Sequence, residues 1–304
     1  MQRLETIAAT RAWRRAQIGS VGVVPTMGAL HQGHLTLARR ARAETDVTLA
    51  TVFVNRLQFG PNEDLDRYPR DLEADLAMLA AEGVDAVFFP DESSMYPPGF
   101  DTAVEVNGPL TQRLEAAQRP THFRGVTTVV TKLMQITQGD RTYFGMKDAQ
   151  QILVIAKLVR DLAIPTTIVP VPTVRDPDGL ALSSRNVYLG EEQRRAASAI
   201  SRALGAAAAH FVAGERSGDV IREAAREILA QQPLVDVQYV SCASLETLQE
   251  LDRVGQTALV STAAMVGATH LIDNHWLGLP AGLELPNADL SGLPPPLRSD
   301  PEPA

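Results

Sequence analysis

Over the first 175 residues the apolar positions alternate between two spacings. Val21–Val24 is an unbroken run, Leu35, Ala38 and Ala41 recur at helical intervals, and Val47–Val54 is a second run. Leu72, Leu76 and Leu79 resume the helical spacing, Gly83 supplies a C-terminal stop, and Val84–Phe89 gives a third strand before Pro90. A helical stripe follows at Val126, Val129, Val130, Leu133 and Met134, then a short strand at Thr142–Phe144. A further helix starts at about Asp148, with Ile152, Ile155, Ala156 and Val159 on its buried face. Thr166–Val169 returns to β character until Pro170 and Pro172 break it. Strands separated by helices predict βαβ units and an α/β fold. The sheet is expected to be doubly wound, Rossmann-like and parallel, with ligands beyond the carboxyl ends of its strands.

After about residue 176 the texture changes to Ala-rich helix over Glu191–Phe211 and Ser217–Gln231, with strands at Val235–Cys242, Thr257–Met265 and Thr269–Ile272. The expected organisation is a Rossmann-like domain over 1–175 and a smaller α+β domain over 176–279 that closes over the site. The stretch 280–304 holds seven prolines and little periodicity, and is expected to be a loosely ordered tail.

Composition narrows the class. Of the 304 residues 45% are hydrophobic and 21% charged, which is ordinary for a globular protein. A net charge of −8 disfavours nucleic acid as a partner, because a phosphate backbone calls for a broad basic surface. No apolar run reaches membrane-spanning length and the N-terminus lacks a signal peptide's hydrophobic stretch, so a cytoplasmic location is expected, with no membrane partner. The single cysteine, Cys242, leaves no internal disulfide and reads as a core thiol in a strand.

Four segments carry candidate chemistry. In Pro25-Thr-Met-Gly-Ala-Leu-His-Gln-Gly-His34 a strand passes through a tight loop into a helix start, where unpaired N–H groups and the helix dipole favour phosphate. His31 and His34, three apart, share one helical face, and Gly33 lets phosphate approach the backbone. In Thr51–Gly60 polar side chains appear at a strand's carboxyl end; the amides of Asn55 and Gln58 both donate and accept, which suits a small hydroxy acid. Tyr143–Gln151 again runs from strand through Gly145 into a helix, with Lys147 placed for triphosphate oxygens, Asp148 for a helix cap or ribose, and Gln151 one turn on. In Val174–Tyr188, Ser183, Ser184 and Arg185 form a compact phosphate clamp, with Gly179 as a nearby hinge. Taken singly, each segment has a plainer reading: a core histidine, a polar loop, a surface lysine beside a cap, a Ser-rich turn.

The HxGH sequence is similar to the signature of the nucleotidyltransferase superfamily. The four segments in order, together with Arg119-Pro-Thr-His-Phe-Arg-Gly-Val126, Leu182-Ser-Ser-Arg-Asn186 and Leu271-Ile-Asp-Asn274, resemble the pantoate–β-alanine ligase family. The resemblance covers most of residues 20 to 190. It implies ATP-dependent condensation of pantoate with β-alanine through a pantoyl adenylate, giving pantothenate, AMP and pyrophosphate, with Mg²⁺, in a cytoplasmic homodimer. It also implies that His34, His31, Lys147 and Arg185 act on the reacting phosphate, His34 as proton donor, cation or hydrogen-bond donor. The nucleotide would lie along Met27, Gly28, Ala29, Leu30, His31, Gly33, His34, Gly145, Met146, Lys147, Asp148, Val174, Leu182, Ser183, Ser184 and Arg185. Gln58 and Gln151 would hold pantoate, Gln58 would also border β-alanine, and Asp75 is the candidate metal ligand.

Three positions depart from the family pattern. Arg56 stands where proline is usual and is expected to loosen the loop before Gln58, Met146 replaces a glutamate, and Ala149 replaces an aromatic residue. Leu182 also stands where methionine is common. The competing readings are an adenylyltransferase that leaves AMP on its product, a tRNA synthetase, and a catalytically silent nucleotide-binding regulator.

Overall fold

The alternating pattern of the first 175 residues builds one parallel sheet, and the chain adds a strand and a helix in front of the predicted ones. The computed structural model describes residues 1–61 and 63–279, so the proline-rich 280–304 segment lies outside the described residues. The chain divides into two compact units. The first contains Met1–Arg175 and Leu182–Ser184, and the second contains Asp176–Ala181 and the described chain from Arg185.

In the first unit the elements run β1 (Gln2–Leu4), α1 (Ile7–Ala16), β2 (Val21–Thr26), α2 (Gln32–Glu44), β3 (Val47–Val52), α3 (Leu72–Ala81), β4 (Ala86–Phe88), α4 (Glu92–Met95), α5 (Glu115–Gln118), α6 (His122–Thr137), β5 (Arg141–Gly145), α7 (Ala149–Asp161) and β6 (Thr167–Val171). The sheet order is β1-β4-β3-β2-β5-β6, parallel throughout. The helical stripe predicted around Leu35–Ala41 and Leu72–Leu79 packs on this sheet, with Leu37, Ala38, Ala41, Leu76 and Leu79 buried against Val24, Ala50 and Val87. Each large apolar side chain so enclosed contributes about 1.5–3 kcal/mol relative to exposure.

Chain order reverses at β2, which lies between β3 and β5. Such a switch point opens a crevice at the strands' carboxyl ends. Here the crevice has a visible cause: β2 pairs with β3 as far as Thr26↔Val52, but with β5 at Gly22 and Val23. Pro25, which has no N–H to donate, sits where β2 and β5 have parted.

Two strand predictions change. Thr167–Val171 runs through Pro170, because β6 is the sheet edge, where a missing N–H is tolerated. β1 and α1 escaped the pattern because Leu4 alone is buried in β1, and α1 buries Thr10 and Trp13.

The second unit comprises α8 (Glu191–Ala197), α9 (Ala199–Val212), α10 (Gly218–Leu229), β7 (Val235–Ala243), β8 (Ala258–Val266) and β9 (Thr269–Leu277). Its sheet is antiparallel in the order β7-β8-β9. The predicted single helix Glu191–Phe211 is divided at Ser198, whose hydroxyl donates to Arg195 O at 2.8 Å, as serine side chains do where they compete with a helix. β9 extends five residues past the predicted Ile272 because Asp273 and Asn274 are buried in it despite their polarity. Ala203, Ala207 and Ala225, fully buried, let the helices approach closely around Cys242, the expected core thiol.

Candidate active site

Two imidazoles cap the helix that starts beyond β2. His31 is the N-cap of α2: its Nδ1 accepts the Gly33 N–H at 3.2 Å, while His34 Nδ1 accepts the His31 N–H at 3.4 Å. An imidazole nitrogen that accepts carries no proton, so both rings hold theirs on Nε2. Their centroids are 4.1 Å apart. Gly33 makes the fold-over feasible, since a Cβ there would lie 2.8 Å from the His31 ring. Enclosure in protein, then the neighbouring His31, push the His34 pKa down to about 3, with Asp148 opposing and Lys147 adding to the shift. His34 is therefore neutral near pH 7 in this structure, with its N–H on Nε2.

The loop before those caps is held in an unusual conformation. Gly28 has φ +78° and Ala29 φ +51°. A left-handed alanine costs about 1 kcal/mol or more and persists only where its surroundings enforce it. Asp75 on α3 does so: its carboxylate accepts Ala29 N–H at 3.0 Å and Leu30 N–H at 2.9 Å. A Cβ on Gly28 would meet that carboxylate at 2.7 Å. Asp75 is 3% exposed, and burial raises its pKa against the pull of the two N–H groups. In this structure the Asp75 carboxylate anchors the loop through these two N–H groups.

The segments predicted to face this loop gather around it. His34 feels the charges of Lys147 and Asp148, which lie in the 3-10 turn Met146–Asp148 directly after β5. The Lys147 ammonium stands 3.6 Å from the Asp148 carboxylate. Leu182 approaches Gly33, where an added Cβ would lie 3.9 Å from the Leu182 Cβ, and Leu182 N–H donates to Val174 O at 2.9 Å. Ser184 reaches Tyr68, hydroxyl to hydroxyl, at 3.5 Å. Arg185 belongs to the second unit. Gln151 is half-buried on the first turn of α7, whereas its neighbour Gln150 is buried and donates to Leu110 O and Arg113 O. Met146 opens that 3-10 turn, and Ala149, the other departure, is buried at the start of α7.

Gln58 lies in a 3-10 turn, Arg56–Gln58, beyond β3. Its carbonyl accepts from His122 Nδ1 at 2.9 Å and from Arg119 at 3.3 Å. A carbonyl cannot donate, so His122 carries its proton on Nδ1, and Arg119 Nη1 lies 3.3 Å from His122 Nε2 as its donor. Burial, then Arg119, push the His122 pKa down to about 4; Asp148 acts in the opposite sense, which places it within electrostatic reach of both His34 and His122. Glu63 pairs with Arg119 through both oxygens. Burial pushes the Glu63 pKa up, but Arg119 outweighs it and the net shift is downward.

Arg56, at the start of this turn, is tied to the segment that follows β4. Its guanidinium pairs with Glu92 at 2.5 Å and lies 5.5 Å from the centre of the Tyr96 ring, so a cationic tether stands where the family's proline is usual. His122, Arg119, Tyr68 and Tyr96 received no role from the sequence. The Arg119–Val126 motif was the one signal that pointed toward the first two.

Comparison with known proteins supplies the family. The family model described as pantoate-beta-alanine ligase matches residues 2–276. Pantothenate synthetase of Roseiflexus sp. is 57% identical over 274 residues, covering 90% of this chain and 98% of that protein, and the Moorella thermoacetica enzyme is 52% identical over 277 residues. A crystal structure of pantothenate synthetase from Thermus thermophilus, 47% identical, matches 90% of this chain and 99% of that one with a TM-score of 0.87. The Francisella tularensis ligase, solved with beta-gamma ATP and beta-alanine, is 34% identical and matches 91% of this chain and 98% of that one with a TM-score of 0.74. With the crevice at the switch point, its capped histidines and this match over nearly the whole length, the chain belongs to the pantoate–β-alanine ligase family.

Proposed function

We propose that this chain condenses pantoate with β-alanine in two steps at the β2–β5 crevice. In the first, a pantoate carboxylate oxygen attacks the α-phosphorus of ATP and pyrophosphate leaves. In the second, the neutral β-alanine amine attacks the acyl carbon of pantoyl adenylate, the acyl–phosphate bond breaks, AMP leaves with the electron pair, and the amine proton passes to solvent. Attack of one anion on another requires alignment and charge neutralisation more than proton transfer. Lys147 and Arg185 are suited to supply the positive charge, and His31 and His34 to supply Nε2–H donors. Ser183 and Ser184 add hydroxyl donors. Backbone from Met27 to Leu30, at Gly145 and Met146, and at Val174 and Leu182 would flank the nucleotide, with Asp148 toward its ribose. Gln58 and Gln151 would hold pantoate, and Gln58 would border β-alanine.

The observation that carries this reading is the gathering of the β2, β5 and 182–184 segments around one helix start in the first unit. Mg²⁺ belongs to the reading as a companion of the triphosphate. Among the described residues no group of three acidic, histidine or cysteine side chains is placed to hold a metal, and Asp75 already serves the loop, so the residues present do not form a protein cage for the ion. No step is routed through it. Among the described residues no helix is long and apolar enough to cross a membrane. Family resemblance adds a cytoplasmic homodimer, which light scattering coupled to size exclusion tests by mass.

The deciding experiment is isotope exchange between pyrophosphate and ATP. Exchange that requires pantoate, with AMP and an amide product appearing on adding β-alanine, supports the reading. Exchange driven by a nucleotide-like acceptor, or tight ATP binding without turnover, contradicts it.

A further inference from the structure

The Arg119–Gly125 segment is joined to the Gln58 turn by a continuous set of hydrogen bonds. Gly125, on the first turn of α6, is in backbone contact with the Gln58 turn: a Cβ there would lie 2.1 Å from Leu57 O and 2.5 Å from Gln58 N. No side chain fits, so the turn rests directly on the helix. The Gly125 carbonyl meets the Asn55 side-chain amide at 3.1 Å. A carbonyl only accepts, so the Asn55 atom facing it is the NH₂ nitrogen. That same nitrogen lies 2.9 Å from the Gln58 side chain, whose facing atom must then be the acceptor Oε1. The other end of Asn55, Oδ1, receives the Tyr96 hydroxyl at 2.6 Å. Asn55 is 1% exposed, so water cannot substitute for these partners without large rearrangement.

With Oε1 engaged inward, the remaining corner of the Gln58 amide is Nε2. We propose that Arg119, His122 and Gly125 are positioning residues: they seat the Gln58 turn on α6 and, through Asn55, oblige Gln58 to offer N–H rather than C=O to the substrate acid. His122 and Arg119 hold the backbone carbonyl of Gln58, and Gly125 with Asn55 sets the polarity of its side chain. A site with that polarity accepts an oxygen acceptor, such as a carboxylate or an ether-like hydroxyl oxygen. It disfavours a ligand that offers only a donor there, because two N–H groups would face each other. This deepens the proposed function and rests on Gln58 contacting pantoate.

Pyrophosphate exchange measured on the full chain with pantoate and ATP varied separately tests it. Asn55→Asp replaces the donor by an acceptor, so Gln58 turns over; the pantoate KM is expected to rise by about tenfold or more while the ATP KM stays within about twofold. His122→Leu is expected to raise the pantoate KM by about threefold or more, and His122→Asn, whose Nδ2–H replaces the Nδ1–H donor, to restore it to within about twofold. A pantoate KM unchanged in Asn55→Asp, a change confined to ATP, or His122→Asn no better than His122→Leu overturns the proposal. If Asn55→Asp loses its cooperative melting transition, the His122 pair decides. Absence of pantoate-dependent exchange in the unaltered chain contradicts the ligase reading itself.

Discussion

The starts of α2 and α6 each carry a histidine whose pKa is pushed well below its ordinary value, and the two rings are arranged in opposite senses. At α2, His34 takes a backbone N–H on Nδ1 and keeps its proton on Nε2. At α6, His122 gives its Nδ1 proton to the Gln58 carbonyl and receives Arg119 on Nε2. Burial explains the neutrality of both, and the backbone group that each meets explains the tautomer. A donor at a helix start suits an incoming anion, whereas a donor aimed at a loop carbonyl fixes that loop. Residue type and pKa therefore do not distinguish the two rings; the backbone group that each meets does.

The largest effects are expected at the α2 end of this comparison. His34→Ala, His31→Ala and Lys147→Ala should each lower turnover at least about tenfold, equivalent to ~1.4 kcal/mol of transition-state stabilisation. His34→Gln, which keeps a donor near Nε2, should retain more activity than His34→Ala. Equal loss in the two would contradict the neutral-donor role. Next comes the loop clamp. Asp75→Asn turns one acceptor into a donor facing a backbone N–H, and should cost about 1–3 kcal/mol in chemical denaturation, with a raised ATP KM.

A pH series compares the two rings together. In the unfolded chain both titrate near the ordinary 6.5, and in the folded protein near about 3 and about 4. Below 6.5 the unfolded state takes up protons that the folded state refuses. Stability should thus be fully present above about pH 6.5 and fall as pH drops toward about 4, with a slope of up to about 1.4 kcal/mol per pH unit for each ring. Melting curves of a His34→Gln, His122→Asn double variant should lose much of that slope between pH 6.5 and 4. The smallest effect belongs to Arg56→Ala: an exposed ion pair and one ring contact contribute about 1 kcal/mol or less, and the pantoate KM should move by no more than about threefold.

Much of the first unit was legible because β2, β3 and their helices are apolar at the spacing each element requires. β1 and α1 were hidden, since a three-residue edge strand with one buried side chain leaves no period to detect. The helix start at α2 was legible for a related reason: His31, Gly33 and His34 are neighbours in sequence, and the turn that organises them is local. The place of Gln58 beyond the end of β3 was legible, but the polarity proposed for its side chain was not. The amide orientation behind that polarity runs through Asn55 to a Gly125 carbonyl 70 residues further along the chain, and to a tyrosine, Tyr96, that reads as an ordinary core aromatic. Arg56 was expected to loosen its loop because its partners Glu92 and Tyr96 lie on another element. The loop-holding bonds of Asp75 were likewise hidden, because Ala29 and Leu30 lie 45 residues or more before it in the chain.

The most direct test is long-range ¹H–¹⁵N correlation of the histidine rings near pH 7, with His34 and His122 assigned by substitution. Two neutral imidazoles of opposite tautomer are expected, His34 protonated on Nε2 and His122 on Nδ1. A cationic ring at either position, or the same tautomer at both, would contradict this.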